Sequence, residues 1–284
     1  MRLINPKLEE KVMFFFLFLS TLIIVTPVVL VLVIVIARGA SVLNWEFLTA
    51  MPRMGMRSGG IFPVIVGTFY LVVGTLIFAL PGGIFSAIYL SEYSKRNLLT
   101  RLIELAIVNL AGVPSVVYGL FGLGLFVVFL KFGASILAGS LTLAVMVLPV
   151  IITATREALQ SVPRSFREVS YSLGATKWQT IRHAVLPNAL PGILTGTILS
   201  LSRAAGETAP ILFTVAAFYL PRLPHSVFDQ AMALPYHLYV LSTQVPNVRI
   251  ELQYGTALVL IGLIMIANLF AVIIRSYFRG RKQW

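Results

Sequence analysis

The feature that most restricts this chain is a series of apolar runs, each long enough to cross the roughly 30 Å of hydrocarbon in a bilayer. They lie at residues 12–37, 61–90, 102–130, 135–155, 190–220 and 255–277. Backbone in hydrocarbon must satisfy each N–H and C=O within its own structure, so runs of this length predict helices. The expected fold is all-α, a polytopic membrane helical bundle of six transmembrane helices forming one domain over residues 1–284. Composition agrees, since 58% of residues are hydrophobic and 11% charged, against about a quarter charged in a soluble domain. With no cysteine present, disulfides, thiolate metal sites and cysteine nucleophiles are excluded.

The first run exceeds the apolar core of a cleavable signal, and Arg38-Gly39-Ala40 makes a poor cleavage site, so it reads as a retained span. Pro81-Gly82-Gly83 in the second run and Pro114 in the third are expected to kink or interrupt their helices. Lys and Arg mark the cytoplasmic loops. Arg2, Lys7, Lys11, Lys95, Arg96, Arg101, Arg156, Arg164, Arg167, Lys177, Arg182, Arg275, Arg279, Arg281 and Lys282 fall on one side. Only Arg38, Arg53, Arg57, Lys131, Arg222 and Arg249 fall on the other. Both termini and the loop at 156–187 are therefore expected in the cytoplasm. The net charge of +12 is then mostly topology, and no nucleic-acid partner is implied.

On the outer side, residues 38–60 show no usable periodicity. In the loop at 221–253, the apolar patch Ala231–Leu241 is too short to span and reads as an interfacial or re-entrant helix, with Tyr236, Tyr239 and Tyr254 suited to the headgroup boundary. Gly67 and Gly74, Ser115 and Gly119, and Gly192 and Gly196 have the small-residue spacing of packed membrane helices. His183, His225 and His237 are too scattered for a metal site, and no residue set suggests catalysis.

The loop at 156–187 carries two short helical patterns. Arg164–Ser172 is amphipathic, Gly174 is free to turn left-handed, and Thr176 stands where it caps a second helix, Lys177–Val185. Pro187 and Pro191 are expected to end that helix and start the fifth span. A solvated amphipathic loop at the membrane surface fits the spacing as well as a coupling device does. Glu168, Gly174 six residues later and Leu186-Pro187 resemble the cytoplasmic signature of the inner-membrane permease subunits of ABC importers, which reads EAA, three residues, Gly, nine residues, I-x-L-P. Val169, Ser170 and Ala184 depart from it at packing positions. The resemblance implies that Arg167, Glu168, Gly174, Ala175 and Thr176 form a coupling helix-turn-helix for a separate ATPase. No G-x-x-x-x-G-K-[ST] phosphate loop occurs, so the chain is not expected to be an enzyme, nor to bind a cofactor itself. ATP and Mg would be used by the partner.

Arg203 and Glu207 lie one turn apart in the fifth apolar run, too deep for lipid to tolerate an unpartnered guanidinium. Gly206 and Pro210 predict irregular backbone beside them. The pair reads either as an internal lock between helices or, with Thr208, as an anion path or gate, because guanidinium matches tetrahedral oxyanions. Ser115 and Tyr118 either line that path or pack helices.

Arg203-Ala-Ala-Gly-Glu-Thr-Ala-Pro210, with Gly112-Val-Pro-Ser-Val-Val-Tyr-Gly-Leu-Phe-Gly122 and Ala233-Leu-Pro-Tyr-His237, resembles the phosphate-specific ABC permeases of the PstA type. The likeness covers nearly the whole chain. It implies inorganic phosphate as cargo, in the cytoplasmic (inner) membrane of a bacterium or archaeon. Its implied partners are a homologous PstC-type permease, two PstB-type ATPase subunits, a PstS-type phosphate-binding protein and membrane lipid. An ABC permease for another oxyanion or small solute, and an ion-gradient transporter or channel, are the alternatives.

Overall fold

The computed structural model describes residues 6–95 and 97–280. Arg2, Arg96, Arg281 and Lys282, used above to orient the chain, lie outside the described residues, as does the side chain of Arg279. The described chain is helical almost throughout. α1 (Pro6–Gly39), α3 (Phe62–Ile88), α6 (Ile136–Gln160), α9 (Leu186–Gly206) and α12 (Ile250–Gly280) are the long elements. Between them lie α2 (Trp45–Thr49), α4 (Leu98–Ala111), α5 (Ser115–Gly122), α7 (Arg164–Ser172), α8 (Lys177–Thr180), α10 (Ala209–Thr214) and α11 (Leu234–Thr243). Two-residue strands β1 (Pro52–Arg53) and β2 (Ser58–Gly59) pair as a small hairpin in the outer loop. Among the described residues, five helices are long and apolar enough to cross a membrane, and six spans result if α4 and α5 count as one bent span.

α6 is the hub. Its apolar window is 67% buried, against 39% or less for the other candidate spans. Glycines let its neighbours approach it: a Cβ on Gly74 or Gly83 of α3 would overlap Ser140 or Ile151, and one on Gly192 or Gly196 of α9 would overlap Ala158 or Ala154. Gly122, at the end of α5, lies in the same way against Thr142. Ser135 caps α6, its Oγ accepting the Ala138 N–H at 3.2 Å. The other early N–H groups of α6 bond the carbonyls of Thr214, Asp229 and Val227, so the outer loop closes over its start. Among the described residues, α1 stands nearly clear of the bundle, packed mainly along α12.

The breakers act differently from what their residue types predict. Pro81 does not interrupt α3, which continues as helix to Tyr93 through a widened turn at Tyr89–Tyr93. Pro114 does interrupt the third run: α4 and α5 meet there at 106°. One proline removes a single N–H, which a packed helix tolerates, whereas Gly112 and the restricted residue before Pro114 leave no helical register to resume. The fifth run is not one helix over 190–220. α9 stops at Gly206, Glu207 is extended (φ −73°, ψ 133°), and α10 ends at Thr214.

Pro187 and Pro191 do not end the preceding helix either. Lys177 to Gly206 is one continuous helical span, because the turn at Ile181–Val185 widens and carries carbonyls away from the Pro187 ring. α11 is a helix with Pro235 in its first turn, where a missing N–H costs nothing. Its Leu234 N–H bonds the buried Thr68 hydroxyl of α3 at 2.8 Å. Tyr236 is 7% exposed and stacks on Tyr239, so it belongs to the core and not to the headgroup boundary.

Candidate functional site: two broken helices and a cytoplasmic turn

The breaks in the third and fifth runs meet. A Cβ on Gly119 of α5 would press on Pro210, Ala209 and Phe213, so only glycine lets α5 lie on α10. Beside the bend at Pro114, the Tyr118 hydroxyl donates to Leu110 O near the end of α4 at 2.7 Å, a carbonyl that also accepts the Val113 N–H at 3.1 Å. Arg203 lies near enough for its charge to act on Tyr118. Thus Tyr118, whose path-lining and packing readings both stood open, ties the bend together beside Arg203.

Arg203 occupies the last turn of α9, where helix carbonyls favour a cation. Its Nε lies 3.5 Å from Glu207 Oε1, a loose pair rather than a clamped one. The side chains remain 34% and 19% exposed. Depth follows from the neighbours: Gly196 faces Ala154 of α6, and the Thr214 carbonyl bonds the Ser135 N–H. Arg203 and Glu207 lie between those levels, beside the middle turns of α6. Thr208 sits at the break itself, its carbonyl accepting the Leu212 N–H. In the residue before Arg203, the Ser202 hydroxyl lies 2.6 Å from Asn268 Oδ1, a link from α9 to α12 that the sequence did not flag.

The second region is the turn between α7 and α8. Gly174 has φ +80°, and the bonds Ala175 N–H to Ser170 O and Gly174 N–H to Tyr171 O close α7 in a Schellman motif. Thr176 and Gln179 then form a capping box that starts α8. Ser170 and Thr180 join the two helices through their hydroxyls at 2.9 Å. Glu168 is exposed, as are Val169, Trp178 and Leu173, the last at 82%. Arg167 turns inward instead. Its guanidinium donates to Glu92 Oε1 at 2.7 Å and to the carbonyls of Leu159 and Val162 at the end of α6. Lys177 lies over the Tyr93 ring, 4.8 Å from its centre. Glu92 and Tyr93 went unnoticed in the sequence, although a lone Glu closing an apolar run was the available signal. They place the α7–α8 unit on the widened turn that ends α3.

Comparison with known proteins agrees with this geometry. Residues 79–283 match the family described as "Binding-protein-dependent transport system inner membrane component". The chain is 33% identical over 251 residues to the probable ABC transporter permease protein YqgI of Bacillus subtilis (strain 168), covering 84% of this chain and 85% of that protein. It is 37% identical over 227 residues to the phosphate transport system permease protein PstA 1 of Mycobacterium tuberculosis (strain ATCC 25618 / H37Rv), covering 80% and 73%. Among solved structures, a chain of a bacterial ABC transporter for alginate import shares the fold at TM-score 0.68 and 15% identity, covering 98% of this chain and all of that one. A chain of the MetNI methionine transporter does so at 0.57 and 17%, covering 77% and 94%. With residues 79–283 matching that family and relatives 33–37% identical over most of its length, this chain belongs to the inner-membrane permease components of binding-protein-dependent ABC importers.

Proposed function

We propose that the chain is the PstA-type permease of a phosphate importer, supplying half of the translocation path and taking its energy from a separate ATPase. One observation carries the path assignment. Arg203 lies at mid-bundle depth and is about one-third uncovered. An arginine there cannot face lipid without a cost of at least about 2.5 kcal/mol, so its open side belongs to water, cargo or a partner protein. The loose contact to Glu207 suits a path, since an anion held too tightly would not be released. Relatives that are 37% identical carry phosphate transport names, which supports phosphate over other oxyanions.

Val116, Val117, Leu120 and Phe121 leave one face of α5 uncovered beside the pair, and a homologous PstC-type permease is the expected cover. The exposed Glu168, Val169, Leu173 and Trp178 offer a mixed apolar and charged surface to two PstB-type ATPase subunits, which bind ATP and Mg. A PstS-type protein delivers phosphate on the outer face, and both termini lie in the cytoplasm. In the cycle, ATPase closure moves the α7–α8 unit, Arg167 and Lys177 carry that motion to α3 and α6, and the path opens to the other side.

The test is reconstitution of the four kinds of subunit in proteoliposomes. ATP-dependent uptake of radiolabelled phosphate, with little uptake of sulfate, is the expected result. Uptake of another oxyanion alone would keep the permease and discard phosphate. Transport without any ATPase would discard the coupling as well.

A further inference from the structure

A second charged cavity lies toward the cytoplasm, between α4 and α6, with a volume of about 420 Å³. α4 presents Arg101, Glu104, Leu105 and Val108 to it, an i, i+3, i+4, i+7 face. α6 presents Thr153, Arg156, Glu157 and Gln160 at the same spacing. Arg101 and Glu104 of α4 thus stand opposite Thr153, Arg156, Glu157 and Gln160 of α6 in a cavity whose remaining walls, Leu90, Leu105, Ile107, Val108 and Ile152, are apolar. Arg156 pairs with Glu104 at 2.7 Å through one terminal nitrogen, while its Nε is sealed from solvent without a hydrogen-bond partner. A buried donor without an acceptor is costly, and here it belongs to a guanidinium bordering an open cavity.

The cavity also lies in line with the first site. α4 rises nine residues, about 14 Å, from Arg101 to Leu110. The Leu110 carbonyl holds the Tyr118 hydroxyl, and the next residue, Gly119, packs on Ala209 and Pro210, just past the Arg203–Glu207 pair. Apolar Ile107, Val108 and Ile152 border the cavity on the way.

We propose that this cavity is a second oxyanion station, where Arg101 and Arg156 hold the anion after it leaves Arg203 and before it enters the cytoplasm. The proposal rests on the permease reading above. Arg101 has no ion pair among the described residues, and Arg156 has donors to spare beyond Glu104. Thr153 and Gln160 add neutral donors that suit a tetrahedral oxyanion. Glu104 and Glu157 oppose the anion, so occupancy is brief. Glu104 takes Arg156 back as the anion departs, which parallels Glu207 beside Arg203. A phosphate group, free or on a lipid head, has the matching chemistry. The position below Arg203 favours the free anion.

The absence of cysteine makes the test direct. In the complete reconstituted importer, Thr153→Cys places a unique thiol of this chain in the cavity. Its labelling from the cytoplasmic side is followed with an anionic and a cationic thiol reagent. Arg101 and Arg156 are matched by Glu104 and Glu157, so the empty cavity steers neither reagent, whereas bound phosphate is expected to slow the anionic reagent more than the cationic one. Millimolar inorganic phosphate is expected to slow labelling several-fold. Adding Arg101→Gln and Arg156→Gln should remove both the protection by phosphate and the difference between reagents that phosphate induces, while Arg156→Lys should keep part of each. Protection that survives the double substitution, or no protection by phosphate, overturns the proposal. Labelling that follows the anionic lipid content of the bilayer and ignores phosphate assigns the cavity to a lipid head and also overturns it. Phosphate uptake is measured on the same vesicles. Protection without uptake leaves this station standing and removes the phosphate importer, whereas uptake without protection does the reverse.

Discussion

Removing the Arg167 guanidinium is expected to loosen the α7–α8 unit from the bundle. The side chain is 17% exposed and that of its partner Glu92 is 9% exposed, so the pair is largely withdrawn from water. Arg167→Met deletes the contacts to both Glu92 oxygens, at 2.7 and 3.4 Å, and the bonds to Leu159 O and Val162 O, at 2.9 and 3.0 Å. Leaving one member of a buried pair uncompensated costs about 3–5 kcal/mol. Glu92→Gln alone is expected to cost less, about 2 kcal/mol, because Arg167 keeps its two carbonyl acceptors. In the double variant no charge is stranded, so the loss should be smaller than the sum by about 2 kcal/mol. The assay is chemical unfolding of the purified chain in detergent for wild type, both single variants and the double. It is paired with uptake and ATPase rates in the reconstituted importer. The Arg167→Met importer should hydrolyse ATP while moving less cargo per ATP. Strictly additive stability losses below about 1 kcal/mol each, with transport per ATP unchanged, would refute the idea that this pair joins the turn to α3 and α6.

Other consequences follow from single positions. Gly174 has φ +80° with open space around it, so Gly174→Ala should lose about 1–2 kcal/mol from backbone strain alone, with Gly174→Asn losing less; equal stability of all three would contradict the turn. Gly122→Val should cost about 1–3 kcal/mol by driving α5 off Thr142, and adding Thr142→Ala should recover much of it in the same unfolding assay. His237 is buried in α11 with Nδ1 unpartnered, and burial lowers its pKa from 6.5 to about 4. The unfolded chain therefore takes up this proton below pH 6.5 while the folded one does not, so stability is full above that value and falls toward pH 4. Between pH 7.5 and 5 the loss should be about 2 kcal/mol, and His237→Gln should abolish that share of the pH dependence.

The long apolar runs made the helical bundle legible, since length and hydrophobicity alone decide what can sit in hydrocarbon. Gly174 and Thr176 were legible for a related reason, because turn and cap chemistry is local and one residue fixes it. The prolines were not. Pro114 breaks its helix, whereas Pro81, Pro187 and Pro191 do not, and the difference lies in packing and in widened turns that no local rule states. The partners of the charged residues were legible only where they are neighbours in sequence. Arg203 and Glu207 are four apart, while Arg167 finds Glu92 and Arg156 finds Glu104 across different helices. Arg167, expected as part of the helix-turn-helix, turns its side chain inward to Glu92 and the carbonyls of Leu159 and Val162, which its position in sequence did not show.

Uptake by the Arg203→Gln importer tests the central claim most directly. Vesicles containing the complete transporter are loaded with ATP, and radiolabelled phosphate uptake is measured beside ATPase activity and the melting temperature of the variant. The account predicts a folded, assembled importer that hydrolyses ATP and takes up phosphate at least about tenfold more slowly, the loss of one charge-assisted contact in the path. Wild-type uptake by this variant would contradict it and leave Arg203 as a lock between helices.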